Sequence, residues 1–280
     1  MKNYRIIAFA GIISASLIIC SCKKKEVDGE TQSVTDHALC EQEFMKIPVT
    51  VNARAVNANG VKKLIPGGSF MSNACPKDSI VGDTTGYAAG NYANLTNLPG
   101  LLLDWGTGCN DDADGVMRSG KLLTTFSKPY GQGGSVITIT PVNYKVGDIS
   151  YSGTIKNTRN SNTSFTIDVI DGHCSNGSWN IKWSSTRTIT WIAGYGDSDE
   201  TNDVMSISGS SSGVNREGRE FTVNITSPLI KAASCKWIKQ GALEITPNGF
   251  KTRTVDFGDG TCDNVATFSV NGNTYTFNMQ

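Results

Sequence analysis

Asn110-Asp111-Asp112-Ala113-Asp114-Gly115 carries oxygen side chains at alternate positions followed by glycine, the spacing with which a loop wraps its carboxylates around calcium. An EF-hand needs a bidentate glutamate at the twelfth position, and Lys121 stands there, so only a non-EF calcium loop built on Asp112, Asp114 and Asp111 is expected. The acidic run Asp197-Ser198-Asp199-Glu200 with Asp203 is a weaker version of the same chemistry. Gly209-Ser210-Ser211-Ser212-Gly213 fits the G-x-S-x-G elbow of serine hydrolases, but that motif needs a strand-to-helix turn, a histidine and an acid. The chain has only His37 and His173, and the motif falls in what reads as a Ser/Gly-rich loop. Paired carboxylates for glycoside cleavage are defined in space rather than in sequence, and Glu200, Glu217, Glu220 and Glu244 sit in no motif. Trp179, Ile181 and Trp183 share one face of a strand, and with Ile181 between the rings that face reads as core rather than as a sugar-stacking platform. The expected function is thus non-catalytic, a structural, adhesive or ligand-binding element, with a carbohydrate-binding module or glycoside hydrolase as the alternative.

The cysteines say more. Lys2 and Arg5 precede an uncharged, mainly apolar run from Ile6 to Ile19, the layout of a signal peptide. As a helix that run is about 21 Å long, short of the roughly 30 Å hydrocarbon core of a bilayer. Ile19-Cys20-Ser21-Cys22 then resembles a lipobox, with an aliphatic residue three before, and a small one just before, the cysteine that receives lipid. Residues 1–21 are therefore expected to be a lipoprotein signal peptide, with Cys22 as the lipidated residue, and the expected location is the cell envelope, anchored to the outer membrane. Cleavage removes two positive charges and no negative one, leaving a slight acidic excess that argues against nucleic acid as a partner. The remaining partners are the membrane, through the lipid, and a cell-surface glycan or protein ligand.

Six further cysteines, Cys40, Cys75, Cys109, Cys174, Cys235 and Cys262, read as up to three disulfides in an oxidising compartment, with 15 full pairings open. Zinc is disfavoured, because no Cys-x-x-Cys occurs and only His173 adjoins a cysteine. No cofactor is called for apart from the calcium that the acidic loop allows.

The elements that must position these residues follow from periodicity. Residues 22–32 are charged and poor in apolar side chains, a flexible tether. Cys40, Phe44, Ile47, Val51 and Ala55 recur at helical spacing, so 33–60 is read as a helical segment with Asp36 as a candidate cap. Pro48 is expected to kink or end it, leaving Val49-Thr50-Val51 as an alternative strand. Residues 57–97 read as a long irregular stretch. Alternation then marks strands at Ser135–Thr140, Ile149–Ile155, Ser164–Ile170, Trp179–Trp183, Thr186–Ile192, Met205–Ser208, Glu220–Ile225 and Asn264–Val270. Gly133-Gly134, Asp171-Gly172, Asn176-Gly177 and Asn271-Gly272 are the turn signals between them. Strand after strand without an intervening helix predicts a mainly β body over 61–280, an antiparallel sandwich or stacked meander.

An internal likeness sharpens this. The segment from Cys75 through Leu103-Asp104-Trp105-Gly106 to Cys109 has a counterpart from Cys235 through Val255-Asp256-Phe257-Gly258 to Cys262, and each is followed by a glycine turn and an apolar strand. Two related halves are therefore expected, and if they share a geometry the pairs are Cys75–Cys109 and Cys235–Cys262, leaving Cys40 and Cys174 to pair or stay free.

Leu103-Asp104-Trp105-Gly106, Arg118-Ser119-Gly120-Lys121, Trp183-Ser184-Ser185-Thr186-Arg187-Thr188, Ser234-Cys235-Lys236-Trp237-Ile238 and Asp256-Phe257-Gly258-Asp259-Gly260-Thr261-Cys262-Asp263-Asn264 resemble a group of lipoproteins of the Bacteroidota. The likeness spans roughly 75–280, its last motif is the most specific, and Cys40 and Cys174 stand outside it. It implies an envelope location and a β-rich fold, and no particular reaction. Asp78-Ser79-Ile80 and Asp83-Thr84-Thr85 also look like the D-[S/T]-x O-glycosylation sites of that phylum, with Ser79 and Thr84 as acceptors in an accessible loop.

Overall fold

The structure, a computed structural model, describes residues 28–55, 75–82, 99–128, 133–197 and 199–279. The signal peptide, Cys22, most of the tether and Thr84 lie outside the described residues. One helix, α1 (Gln32–Ala55), is followed by thirteen strands: β1 (Lys77–Val81), β2 (Gly100–Asn110), β3 (Met117–Phe126), β4 (Val136–Val146), β5 (Ile149–Arg159), β6 (Ser164–Ser175), β7 (Asn180–Ala193), β8 (Val204–Val214), β9 (Glu220–Ala232), β10 (Gln240–Pro247), β11 (Arg253–Asp259), β12 (Val265–Val270) and β13 (Asn273–Asn278). All pair antiparallel, each with its neighbours in sequence, in one open sheet ordered β1 to β13. The mainly β, antiparallel expectation describes this, but the strands make one layer where a sandwich has two.

The helix supplies the second layer. It touches β2, β5, β6, β7 and β10. Laid flat, the eight strand spacings from β2 to β10 would span roughly 38 Å at about 4.8 Å each, whereas a helix is only about 10–12 Å across. The sheet must therefore curl, with α1 in its concave face. Strand alternation follows from this: in β7 the side chains of Ile181, Trp183, Ser185, Arg187 and Ile189 turn inward and are buried, while Lys182 and Thr186 are exposed and Ser184, Thr188 and Thr190 are half-buried. On the helix, Cys40, Phe44, Ile47, Val51 and Ala55 are the apolar residues of the buried stripe. Phe44 stacks on Trp183 with ring centroids 5.5 Å apart and planes 12° from parallel.

Several expectations are corrected. The helix continues through Pro48, which is itself buried. An interior proline costs about 3 kcal/mol, and burial of Ile47 and Val51 on either side offsets that. Asp36 is not the cap but lies inside the first turns, buried. Glu30 serves the helix start instead, its Oε1 accepting from both N and Oγ of Ser33 at 2.8 Å. Asp171-Gly172 is a bulge inside β6 rather than a turn, with Asp171 at φ 49° and the register shifting between Val169 and Gly172. A Cβ on Gly172 would lie 2.5 Å from the Trp183 carbonyl oxygen and 3.1 Å from the Phe44 ring, so the helix reaches the sheet only because this residue is glycine. Part of the stretch read as irregular is β1, and Ser79 sits exposed in that edge strand, not in a loop.

Three disulfides brace the fold, one of them between the layers. Cys40 on α1 joins Cys174 on β6, with Cα atoms 6.4 Å apart. Cys75, just ahead of β1, joins Cys109 on β2 at 6.2 Å, and Cys235 in the β9–β10 connection joins Cys262 in the β11–β12 connection at 5.8 Å. The second pair links two adjacent strands and the third links two loops beside one hairpin, so their settings differ. The Asp-aromatic-Gly segments do match: Asp104 Oδ1 accepts from Gly106 N, and Asp256 Oδ1 from Gly258 N, both at 2.8 Å, with both glycines at positive φ.

Candidate functional site

Alternation alone assigns an inward position to Arg187, between Ser185 and Ile189, and a charge there needs a partner, because an uncompensated buried ion is costly. The partner is on the helix. Arg187 Nε and Nη2 each donate to one oxygen of Glu41 at 2.8 Å, and Nη2 also donates to Ser211 Oγ at 3.2 Å. Two more buried arginines are paired, with carboxylates that lie off the helix. Arg118 is 1 % exposed; it donates to both Asp114 oxygens at 2.7 and 3.0 Å and to the Tyr144 hydroxyl at 3.0 Å, while Tyr144 donates onward to Glu43 at 2.8 Å. Arg253, fully buried, donates to the Glu30 carbonyl at 2.8 Å and pairs with Asp28. At the helix's first turns Asp36 receives the Arg216 backbone and guanidinium, both at 2.7 Å.

The electrostatics follow from burial and these partners. Burial works against the Arg118 charge, yet Asp114, Tyr144 and Glu43 together hold it above the ordinary guanidinium value. Asp114 is held far below the usual carboxylate range by its Arg118 hydrogen bonds, with Lys46 adding to them. Burial raises Glu43, against the pull of the Tyr144 hydrogen bond and Arg118. Burial also raises the Tyr144 and Tyr151 phenols, and the Glu43 charge adds to it. His37 is pushed down to about 4 by burial, opposed by Glu41 and reinforced by Arg187. It is therefore neutral near pH 7, and its Nδ1 accepts from the Trp183 indole at 3.2 Å.

This layer accounts for the acidic loop. Asp111 is buried and accepts from Trp105 Nε1 at 3.1 Å and from Ala113 N at 2.9 Å. Asp112 Oδ2 accepts from Cys75 N at 2.9 Å, and Asp114 faces Arg118 and Lys46. The three carboxylates thus face protein donors, Asp111 and Asp114 sharing Arg118 at 3.6 and 2.7 Å, and among the described residues no group of three or more His, Cys, Asp or Glu is placed to hold a metal ion. Of the second acidic run, Asp199 caps a short 3-10 turn and Asp203 accepts from Trp191 Nε1 at 3.0 Å. The G-x-S-x-G residues lie in the middle of β8, not in a loop, and Ser211 is engaged by Arg187. Neither His37 nor His173 is hydrogen-bonded to any of these serines among the described contacts. Trp183 is 1 % exposed, while Trp179 is half-buried with the Arg216 guanidinium 4.2 Å over its ring.

With the inside filled, the open surface is the outer face. There β7 and β8 align hydroxyl with hydroxyl: Ser184 opposite Ser212, Thr186 opposite Ser210, Thr188 opposite Ser208 and Thr190 opposite Ser206. A shallow furrow of about 550 Å³ runs over Thr186, Ser210, Ser212, Thr222 and Asn224, and a second of about 620 Å³ adjoins it toward Thr246 and Asn248. Each contains a single carboxylate, Asp168 in the first and Glu220 in the second. Asp168 accepts from the Thr186 hydroxyl at 2.7 Å. Lys182 lines the second furrow opposite in sign to Glu220, so the charges are few and both signs are present, and hydroxyl and amide side chains supply most of the polar lining. The sequence showed the inward phase of Arg187 and the acidic loop that holds Asp114, four residues before Arg118; Glu41, Asp28 and Glu30 lie far from the arginines they meet and carry no local signal. Compared with protein-family models, with curated proteins and with solved structures, the chain matches none.

Proposed function

We propose that this chain is a non-catalytic envelope lipoprotein, cut before Cys22, held on the outer membrane by lipid and presenting its outer β face to a neutral cell-surface glycan. The observation that carries the reading is the closed interior. A helix bonded through Cys40–Cys174 fills the concave face, and the buried arginines there are matched by carboxylates. What stays open is a furrow lined mostly by Ser, Thr and Asn with Asp168 and Ile170 at its side, whose polar groups donate and accept hydrogen bonds as a polyhydroxylated chain does. Among the described residues no helix is long and apolar enough to cross a membrane, so a lipid on Cys22 supplies the attachment in this reading.

Binding of the full chain to a panel of immobilised neutral and acidic polysaccharides tests the ligand class. Retention on a neutral polymer, abolished by Thr186→Glu with Ser210→Glu, is expected; no retention on any polymer overturns it. Metabolic labelling with a palmitate analogue tests the anchor, and label persisting in Cys22→Ala would overturn that assignment. The glycoside hydrolase alternative is less favoured, since neither furrow pairs two carboxylates. The common Asp-aromatic-Gly turn supports descent of the two halves from one unit. An O-glycan on exposed Ser79 would shield the β1 edge, which an intact mass measurement checks.

A further inference from the structure

The last strand ends the sheet, with every residue of Asn273–Asn278 exposed and, among the described residues, only β12 paired to it. Its register is unbroken: Phe268 lies opposite Tyr275 and Ala266 opposite Phe277. Just beyond the strand, Met279 N donates to the Asn264 carbonyl at 2.7 Å. Hydrogen-bonded positions recur at every second residue of an antiparallel ladder. Phe277, Tyr275 and Asn273 therefore direct their backbone groups toward β12, and Thr274, Thr276 and Asn278 direct theirs to the free edge.

Sheet edges are normally protected by charge, proline or a bulge. The opposite edge, β1, carries Lys77 and Asp78. The β13 edge has no charge, no proline and no register shift. On its apolar face Tyr275 is 52 % and Phe277 40 % exposed, and the Tyr275 ring lies 6.2 Å from that of Phe268.

We propose that β13 pairs antiparallel with β13 of a second copy of this chain, about a twofold axis through Thr276 and normal to the sheet. The three outward positions are symmetric about Thr276, so Thr276 meets its own counterpart and Thr274 meets Asn278, and all their N–H and C=O groups gain partners. In the same register Tyr275 falls opposite Phe277 twice on the apolar face, an aromatic cross-strand pairing that favours adhesion. Moving the axis to Tyr275 sets Asn278 against the Asn271-Gly272 turn, and moving it to Tyr275 or Phe277 leaves one aromatic pair, that residue with its own copy, in place of two. A twofold contact needs a self-complementary patch, and this strand meets that condition without charges that would select a different partner.

The test uses single cysteines in the full chain under oxidising conditions. Thr276→Cys is expected to form a covalent dimer with itself, since paired Cα atoms about 5.5 Å apart suit a disulfide. Thr274→Cys alone should not, but mixed with Asn278→Cys it should. Thr276→Pro removes one outward N–H without touching the β12 ladder, as edge strands tolerate, and should sediment as monomer where the parent sediments as dimer. A parent chain that is monomeric throughout the micromolar range, or a Thr274→Cys chain that cross-links as readily as Thr276→Cys, overturns the proposal. If Thr276→Pro fails to fold, the cysteine pattern decides alone.

Discussion

Trp183 donates its indole N–H to Nδ1 of His37 at 3.2 Å, joining residues 146 apart in the chain across the interface between helix and sheet. That bond needs a bare Nδ1, so it exists only with neutral imidazole.

The stability of the fold should therefore depend on pH through this residue. The folded imidazole protonates only near 4, against an ordinary 6.5, so between those values the unfolded chain binds the extra proton. The contribution is fully present above pH 6.5 and is lost as pH falls toward 4, at most about 3.5 kcal/mol at about 1.4 kcal/mol per pH unit. Urea unfolding of the parent and of His37→Gln across pH 4–7 should show this slope in the parent alone. Parallel pH profiles would remove His37 from the account.

Arg187→Met should destabilise the protein by about 3–5 kcal/mol, because it leaves Glu41 without its cation at the layer boundary. Glu41→Gln with Arg187→Met should recover part of that loss. A double-mutant cycle reads the coupling, expected at about 1–3 kcal/mol, and additive losses would mean the two residues act separately.

The disulfides should rank by the loop each closes. Cys40–Cys174 closes 134 residues and Cys235–Cys262 closes 27, which in the chain-entropy model gives about 5 and about 3.5 kcal/mol. Replacing Cys40 and Cys174 together by alanine should also speed hydrogen exchange throughout α1, whereas loss of Cys235–Cys262 should leave α1 protected. Equal protection of the helix in both variants would show that the ionic layer holds it unaided.

Calcium should leave the thermal midpoint unchanged. Asp111, Asp112 and Asp114 already accept from Trp105, Cys75 and Arg118, and an ion would have to displace these donors. A calorimetric scan with calcium and with chelator checks this; a midpoint raised by calcium would mean that the loop rearranges around it.

Alternation revealed most strands, because period-two burial is written residue by residue. It divided β7 into two pieces, since Ser184-Ser185 between them lack the β-branched or aromatic side chains by which strands are recognised, and it read Asp171-Gly172 as a turn because the same dipeptide makes bulges. Layering was not legible: an inward Ile155 looks the same whether it meets another sheet or a helix. The spacing of Ile47, Val51 and Ala55 marked the helix past Pro48, but the proline left Val49-Thr50-Val51 open as a strand, since the packing that offsets its cost is not written in the local sequence. Of the candidate site, the hydroxyls of Thr186, Thr188, Ser208 and Ser210 were all within recognised or adjoining segments, but their alignment into a field depends on register, which local sequence does not specify.

Pairing each strand only with its sequence neighbours has a consequence for assembly. A chain emerging N-terminus first can add one hairpin at a time, each closing a short loop, so the slow search usual for large β proteins is avoided. The helix breaks this order. It is made first, and Glu43 can meet Arg118 and Tyr144 as β3 and β4 form, whereas Cys40, Glu41 and Asp36 meet Cys174, Arg187 and Arg216 only once the strands from β6 onward arrive. Closure of the later strands around α1 thus carries the largest loop-closure cost of the fold, set apart from the local hairpins that build the sheet.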